Sequence, residues 1–311
     1  MQNESYSKIK YYIVTPTYNR SQALTRCVQS VLEQNGNDFD FEIIIINDSP
    51  EANYSTFENE YLHKTYSYTD KVDISYTKIK YIKNNKNSGV NFSRNAALNY
   101  IERGSASFAS AGGMTQKDTE LQNKSEYIIF LDDDDWLAPN ALQDITDILK
   151  TKKSQNKEDV KLSSNIKWLV TNRALTSGES LSSIRQNIIK NYVLEFLLLR
   201  KSSGDATHAI EKSVALSARF SKKVKQGEEW IYFASLQSPI NYVNINTTIS
   251  EGYSYDGLNT YMSLQEKRNK INNIKNLFSE TLSNRKTKIS NKIFICLYLF
   301  LRVIKTLIKR Y

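Results

Sequence analysis

Cysteine is almost missing from this chain, with only Cys27 and Cys296 in 311 residues. The two stand in unrelated contexts, Cys27 inside a helical pattern, which excludes a disulfide framework and a thiolate metal site. Glycine and proline are sparse at 10 and 4, so regular elements are expected over most of the length, with turns concentrated where those few residues fall. Met1 to Lys10 is polar and lacks an apolar signal core, which argues against secretion and for a reducing, cytoplasmic address. Acid is absent from Arg285 to Tyr311, where eight cations (Arg285, Lys286, Lys288, Lys292, Arg302, Lys305, Lys309, Arg310) account for eight of the nine excess charges. Between those cations runs Ile293 to Ile304 (IFICLYLFLRVI), apolar except for Arg302. It is too short for the roughly 18 to 20 residues of a membrane-crossing helix.

What is present is a foldable chain. Its hydrophobic share is 40%, enough for a substantial core and neither disordered nor fibrous. An apolar run flanked by cations suits a helix lying in the headgroup region of a membrane, so residues 285–311 are expected to meet the inner face of the cell membrane peripherally. The competing reading is a terminal helix packed on the body with its cations merely solvated. Nucleic acid is not an expected partner, because the tail's aromatics sit inside the apolar run and do not interleave with the cations as a stacking platform would.

Strands and helices alternate along the first half. KYYIVT (Lys10 to Thr15) reads as a strand, Ser21 to Gln34 as a helix with Ala23, Leu24, Cys27, Val28 and Val31 on one face, and FEIIII (Phe41 to Ile46) as a strand buried on both faces. Lys78 to Ile82, Val90 to Ile101 and YIIFL (Tyr127 to Leu131) continue as strand, helix and strand. Beyond Asp135 a helix is expected over about 140–152, a strand over 166–175, further helices, a helix opening near Gly227, a strand over 242–249 and a helix over 258–282. Glu51 to Tyr76 and Gly104 to Ser125 read as surface insertions. The alternation predicts an α/β fold with a mostly parallel sheet wound by helices on both faces. Ligands collect beyond the carboxyl ends of such strands. Thr15 to Arg20, Asn47 to Ser49, Asn87 to Gly89 with Arg94, and Asp132 to Asp135 all fall there, so one cleft is expected.

The four aspartates carry the strongest chemistry. Adjacent carboxylates at a strand end repel unless a cation or hydrogen bonds neutralise them. With no His or Cys nearby the ligand set is all oxygen, which favours Mg²⁺ or Mn²⁺ over zinc. A calcium loop would need spaced acids, a turn glycine and a terminal glutamate, and none follows. The competing reading is a solvated acidic turn capping the next helix.

Taken together, VTPTYNR (Val14 to Arg20), the Asp48 turn in IIIINDSP, SGVNFSRNAAL (Ser88 to Leu98), FLDDDDW (Phe130 to Trp136) and GEEW (Gly227 to Trp230) resemble, in order and spacing, the inverting family 2 glycosyltransferases of the GT-A fold. The resemblance covers about Tyr11 to Tyr253. It implies a mixed, mostly parallel sheet flanked by helices, with residues 1–255 as the catalytic domain and 256–311 as a helical extension. Within the catalytic domain, about 10–135 would bind the nucleotide-sugar, a UDP-sugar, and about 136–255 the acceptor. It further implies donor contacts from Thr15, Pro16, Thr17, Tyr18, Arg20, Asp48, Arg94, Asp132 and Asp133, and a metal held by Asp134, with the register among the four aspartates left open. The family's base lies in a Glu-Asp pair, whereas this chain has Glu228 and Glu229, with Glu229 at the base position; either carboxylate can accept a proton. The implied acceptor is a lipid-linked glycan of bacterial surface-polysaccharide assembly.

Trp136 and Trp230, each beside a motif carboxylate, are candidates for sugar contacts. His208 is weighed between a structural histidine and an acceptor contact, and His63 is given no role. Two other classes stay open. A sugar nucleotidyltransferase shares the fold and metal need, but its glycine-rich N-terminal phosphate loop has no counterpart in Val14 to Arg20. A non-catalytic membrane scaffold would keep the fold and tail, and the Glu-Glu pair leans that way.

Overall fold

Ile43, Ile44, Ile45 and Ile46 are all fully buried, and successive side chains point into opposite layers. That is the signature of a strand covered on both faces. The computed structural model describes residues 8–62, 78–110, 125–150, 165–223, 229–251, 264–283 and 287–308. In it β1 (Ile9–Thr17), α1 (Ser21–Leu32), β2 (Phe39–Asn47), α2 (Ser55–Tyr61), β3 (Ile79–Lys83), α3 (Val90–Ser110) and β4 (Glu126–Phe130) form the N-terminal half. Next come β5 (Asp135–Leu137), α4 (Ala141–Lys150), β6 (Trp168–Leu175), β7 (Ser182–Ile184), β8 (Ile188–Ile189), a π-helix (Tyr192–Leu198), β9 (Ser202–Gly204) and β10 (Ala206–Glu211). The chain then runs through α5 (Lys212–Leu216), α6 (Trp230–Ser235), β11 (Ile240–Ser250), α7 (Leu264–Ser283) and α8 (Ile289–Ile308).

The main sheet runs β3-β2-β1-β4-β10-β6-β11-β5, with β8 also on β11. Strands β3, β2, β1 and β4 are parallel, β10 enters antiparallel between β4 and β6, and β6 with β11 is parallel again. One apolar layer holds Leu24, Val28 and Val31 of α1 with Leu142, Ile145 and Leu149 of α4. The opposite layer holds Leu98 and Ile101 of α3, Ile274 and Leu277 of α7, and Ile295 and Leu299 of α8. Helix α4 begins with Asp144 in its first turn and ends with Lys150 in its last, the order its macrodipole favours. The mixed α/β sheet flanked by helices, with helices at its C-terminal end, is the fold expected.

Three departures have physical causes. The segment 51–76 is not wholly a surface insertion, since Tyr54 and Phe57 are buried and α2 packs on the core; 63–77 lie outside the described residues. The stretch after β6, expected to be helical, keeps helical turns only at the π-helix and α5 and otherwise carries the short strands β7 to β10, because the polar, serine-rich segments 177–187 and 201–207 supply no helical stripe. Helix α3 runs on to Ser110, into the second expected insertion, of which 111–124 lie outside the described residues. Helix α8 packs Ile295 and Leu299 against the body, as the terminal-helix reading required, yet Ile293, Phe300 and Leu307 on its other side are 62%, 61% and 60% exposed. Among the described residues no helix is long and apolar enough to cross a membrane.

Ile44→Ala opens a cavity between the sheet and α3, so a loss of about 2–5 kcal/mol is expected. A urea midpoint that falls at unchanged slope would register it.

Candidate active site

At the carboxyl end of β1 the chain turns sharply through Asn19, which takes a left-handed φ of 56° and donates its N–H to Ser49 Oγ at 2.7 Å. Thr15 and Thr17 are buried beside Tyr18, which is half exposed, and Pro16 pairs in register with Ile46. Thr17 donates its hydroxyl to Asp133 Oδ2 at 2.7 Å. Arg20 Nη1 reaches Asp133 at 3.2 Å and Asp134 at 2.6 Å. The first loop is therefore tied to the aspartate run, with Tyr54 bracing it through contacts to Thr17 (2.9 Å) and the Arg20 N–H (3.1 Å).

Asp48, at the end of β2, is buried and fully engaged. Its oxygens accept from Asn84 Nδ2 (2.7 Å), from the Ser88 N–H (2.9 and 3.1 Å) and from the Gly89 N–H (2.7 Å). Gly89 has φ 92°, a conformation open to glycine at no steric cost. The carboxylate thus pins the turn that launches α3, and through α3 it aims Arg94.

Arg94 is buried. Nη2 donates to Asp132 Oδ1 at 2.7 Å, and Nη1 lies 2.7 Å from Glu229 Oε1 in an ion pair whose N–H direction is off the hydrogen-bond line. Burial works against the guanidinium charge, but Asp132 and Glu229 overcome it and raise the pKa further. Glu228 and Gly227 lie outside the described residues.

A cavity of about 320 Å³ gathers Arg94, Asp132, Glu229, Trp230 and His208. It does not include Thr15, Asp48, Asp134 or Trp136. The Trp136 ring lies under the Arg26 guanidinium, 4.1 Å from its centroid, on the sheet edge beside β11. Trp230 is nearly buried, with Tyr298 edge-on at 4.9 Å. Trp168 Nε1 donates to His208 Nδ1 at 3.0 Å, and the imidazole stacks on Phe233 at 4.2 Å. Burial lowers its pKa to about 3, so the ring is neutral.

One residue in this cavity escaped the sequence reading, Arg173, and it pairs at 2.7 Å with Asp135, which the sequence reading carried only as a member of the aspartate run. Asp135 opens β5 as the last aspartate of the run, facing inward with Leu137; Arg173 is a lone charge in the otherwise uncharged strand WLVTNRAL, and a cation there requires a carboxylate. Asp132, Asp134 and Asp135 can each offer one carboxylate oxygen, all within 4.8 Å of one another. That all-oxygen set fits a hard divalent cation such as Mn²⁺ or Mg²⁺. Asp133 faces away, toward Thr17 and Arg20.

Desolvation raises Asp133 to about 6 and Asp135 to about 7, partly offset by Thr17 and Arg20 for the first and Arg173 for the second.

Residues 12–102 match the family model described as glycosyl transferase family 2. A curated relative, poly(ribitol-phosphate) beta-N-acetylglucosaminyltransferase TarP of Staphylococcus aureus (strain N315), is 31% identical over 137 residues. That match spans 44% of this chain and 32% of the relative's length. Among solved structures, S. aureus TarS 1–349 superposes with a TM-score of 0.55 at 14% identity, covering 96% of this chain and 72% of that one. Its complex with UDP-GlcNAc gives 0.58 at 14%, covering 96% and 73%. These likenesses carry the fold.

Asp48→Ala leaves the half-buried Ser88 and Gly89 N–H groups without their acceptor and is expected to cost about 1–3 kcal/mol, read as a lowered melting temperature. Both raised carboxylates have folded pKa values above the ordinary 3.8. Their contribution is present below that value and is lost as pH climbs through about 6 and 7. Melting in chelator should therefore fall from about pH 5 to 8; added Mn²⁺ should flatten the slope, and Asp133→Asn should reduce it.

Proposed function

We propose that the chain, which carries a glycosyl transferase family 2 match over residues 12–102 and the GT-A fold, is a bacterial surface-polysaccharide transferase of that family and moves a sugar from a UDP-sugar to a hydroxyl of a lipid-linked glycan acceptor by an inverting single displacement. The observation that supports this most strongly is the buried Arg94 held between Asp132 and Glu229. It joins the donor-side aspartates to a carboxylate that opens onto the acceptor side. UDP-GlcNAc bound to TarS favours a uridine donor.

In this reading Thr15, Pro16, Thr17, Tyr18 and Arg20 line the nucleotide, and Asp133 fixes that loop through Thr17 and Arg20. Asp48 acts by holding the turn before α3. Asp132, Asp134 and Asp135 would hold Mn²⁺ or Mg²⁺, which when bound supplies Lewis-acid neutralisation of the departing diphosphate. Arg94 adds its own positive charge to the same oxygens. When the diphosphate competes for that guanidinium, Glu229 loses its present partner and is free to take the proton from the attacking hydroxyl. The oxygen displaces the nucleoside diphosphate in line, which turns an α-linked donor into a β-linked product. Glu228 is kept as the neighbouring alternative to Glu229. Trp230 and His208 line the side from which the acceptor enters, whereas Trp136, engaged with Arg26, is no longer assigned there.

Residues 1–255 are read as the catalytic domain and 256–311 as an extension that meets the membrane surface peripherally, on the cytoplasmic side.

Transfer measured with UDP-sugars, a lipid-linked acceptor and Mn²⁺ tests the whole. Asp134→Ala and Glu229→Gln are each expected to lower turnover by about 10²–10⁴, and chelator should silence the unaltered enzyme. Near-normal turnover in either variant removes that residue's role.

A further inference from the structure

Each aspartate of the candidate metal set already has an arginine on it. Asp132 is held by Arg94 at 2.7 Å, Asp134 by Arg20 at 2.6 Å and Asp135 by Arg173 at 2.7 Å. Carboxylate oxygens gathered within 4.8 Å of one another repel, and the guanidiniums offset that repulsion. A divalent ion entering the set therefore competes with positive charge that is already there.

The three arginines differ in their freedom to give way. The side chains of Arg94 and Arg173 are only 4% and 16% exposed. That of Arg20 is 53% exposed and its partner Asp134 is 49% exposed, and an ion pair so open to water is weak. The Arg20 backbone, by contrast, is firmly placed. Its N–H donates to Tyr54 Oη at 3.1 Å and its carbonyl accepts from the Leu24 N–H at 2.9 Å. Leaving Asp134 thus takes a change of rotamer and no movement of the loop. Arg20 also has a second anchor, Asp133 Oδ1 at 3.2 Å, while the other oxygen of that carboxylate takes the Thr17 hydroxyl. A guanidinium that gives up Asp134 stays tethered to Asp133, at the end of the first loop, where the nucleotide is read to lie.

We propose that Arg20 is the exchangeable counter-ion of the aspartate set: it occupies Asp134 in the metal-free protein, a divalent ion displaces it, and the released guanidinium turns to the diphosphate of the donor. Asp134 has two oxygens, but serving both cations together would hold a guanidinium and a divalent ion on one carboxylate against their mutual repulsion. The exchange makes the ion bind weakly alone and more tightly once the donor draws Arg20 away, and by linkage the ion favours the donor by the same factor. This rests on the reading that Asp132, Asp134 and Asp135 hold a divalent ion, and deepens it by naming the group that the ion must displace.

Mn²⁺ titrated into the full chain without nucleotide, and followed by loss of the free-ion EPR signal, tests the exchange; melting in chelator checks that each variant folds. Arg20→Ala should bind Mn²⁺ about tenfold more tightly than the unaltered protein, and Arg20→Gln, which keeps a neutral donor for Asp133, should do the same. Arg26→Ala removes an equal charge from α1, but the partners of Arg26 are Glu251 and the Trp136 ring. Its affinity should stay within about twofold of the unaltered protein, which separates direct competition from a general change in potential. UDP should tighten Mn²⁺ binding by the unaltered protein, and the factor should be about tenfold smaller in Arg20→Ala. Equal or weaker Mn²⁺ binding by the two Arg20 variants, an equal gain in Arg26→Ala, or an undiminished effect of UDP in Arg20→Ala would overturn the proposal. Failure of the metal reading itself looks different: no form of the protein, Arg20→Ala included, would retain Mn²⁺, Asp134→Asn would change nothing, and both readings would go.

Discussion

A single buried guanidinium organises the carboxyl edge of this sheet. Arg94 has almost no solvent, so its charge is tolerable only while carboxylates stand on it. Asp132 and Glu229 do so from segments distant in sequence. Everything that sets the position of α3 therefore sets the spacing between those two acids: the Asp48 clamp on Ser88 and Gly89, the left-handed Gly89, and Leu98 and Ile101 packed on the sheet. Packing within the sheet and helix α3 is in this way converted into geometry at the candidate site.

The aspartate run shows how one short segment serves three environments. Asp133 turns back to the first loop, Asp135 inward to Arg173, and Asp132 with Asp134 outward to more open space. Four like charges in sequence are thus separated by the turn between β4 and β5 and by three arginines from other elements, Arg20, Arg94 and Arg173. Three of the four can still present oxygens to one point.

Much of the fold was legible in the sequence because its parallel core advertises itself: FEIIII and YIIFL are runs that a doubly covered strand explains, and the polar clusters expected at their ends do lie at the carboxyl edge of the sheet. Less regular parts were opaque for a physical reason. Strands β7 to β10 are too short and too polar to show a period, and their pairing is decided by β6 and β11, elements distant in sequence. Arg173 could have been suspected as an isolated charge in an apolar strand, but its partner Asp135 is fixed only by the antiparallel return of β5 against β11. Adjacency to a motif says nothing about which side of the sheet edge a ring takes, and Trp136 lies against Arg26, outside the cavity that holds Arg94 and Glu229. Helix α8 packs one face on the body, as the terminal-helix reading had it, and leaves apolar side chains exposed on the other.

His208 carries a last consequence. An indole nitrogen can only donate, so the bond from Trp168 fixes Nδ1 as the acceptor, and the imidazole proton must reside on Nε2. With protonation suppressed by burial, the ring is a permanent single-proton donor. Whatever meets that nitrogen must bring a lone pair, and acidity in the cell's range will not alter the requirement.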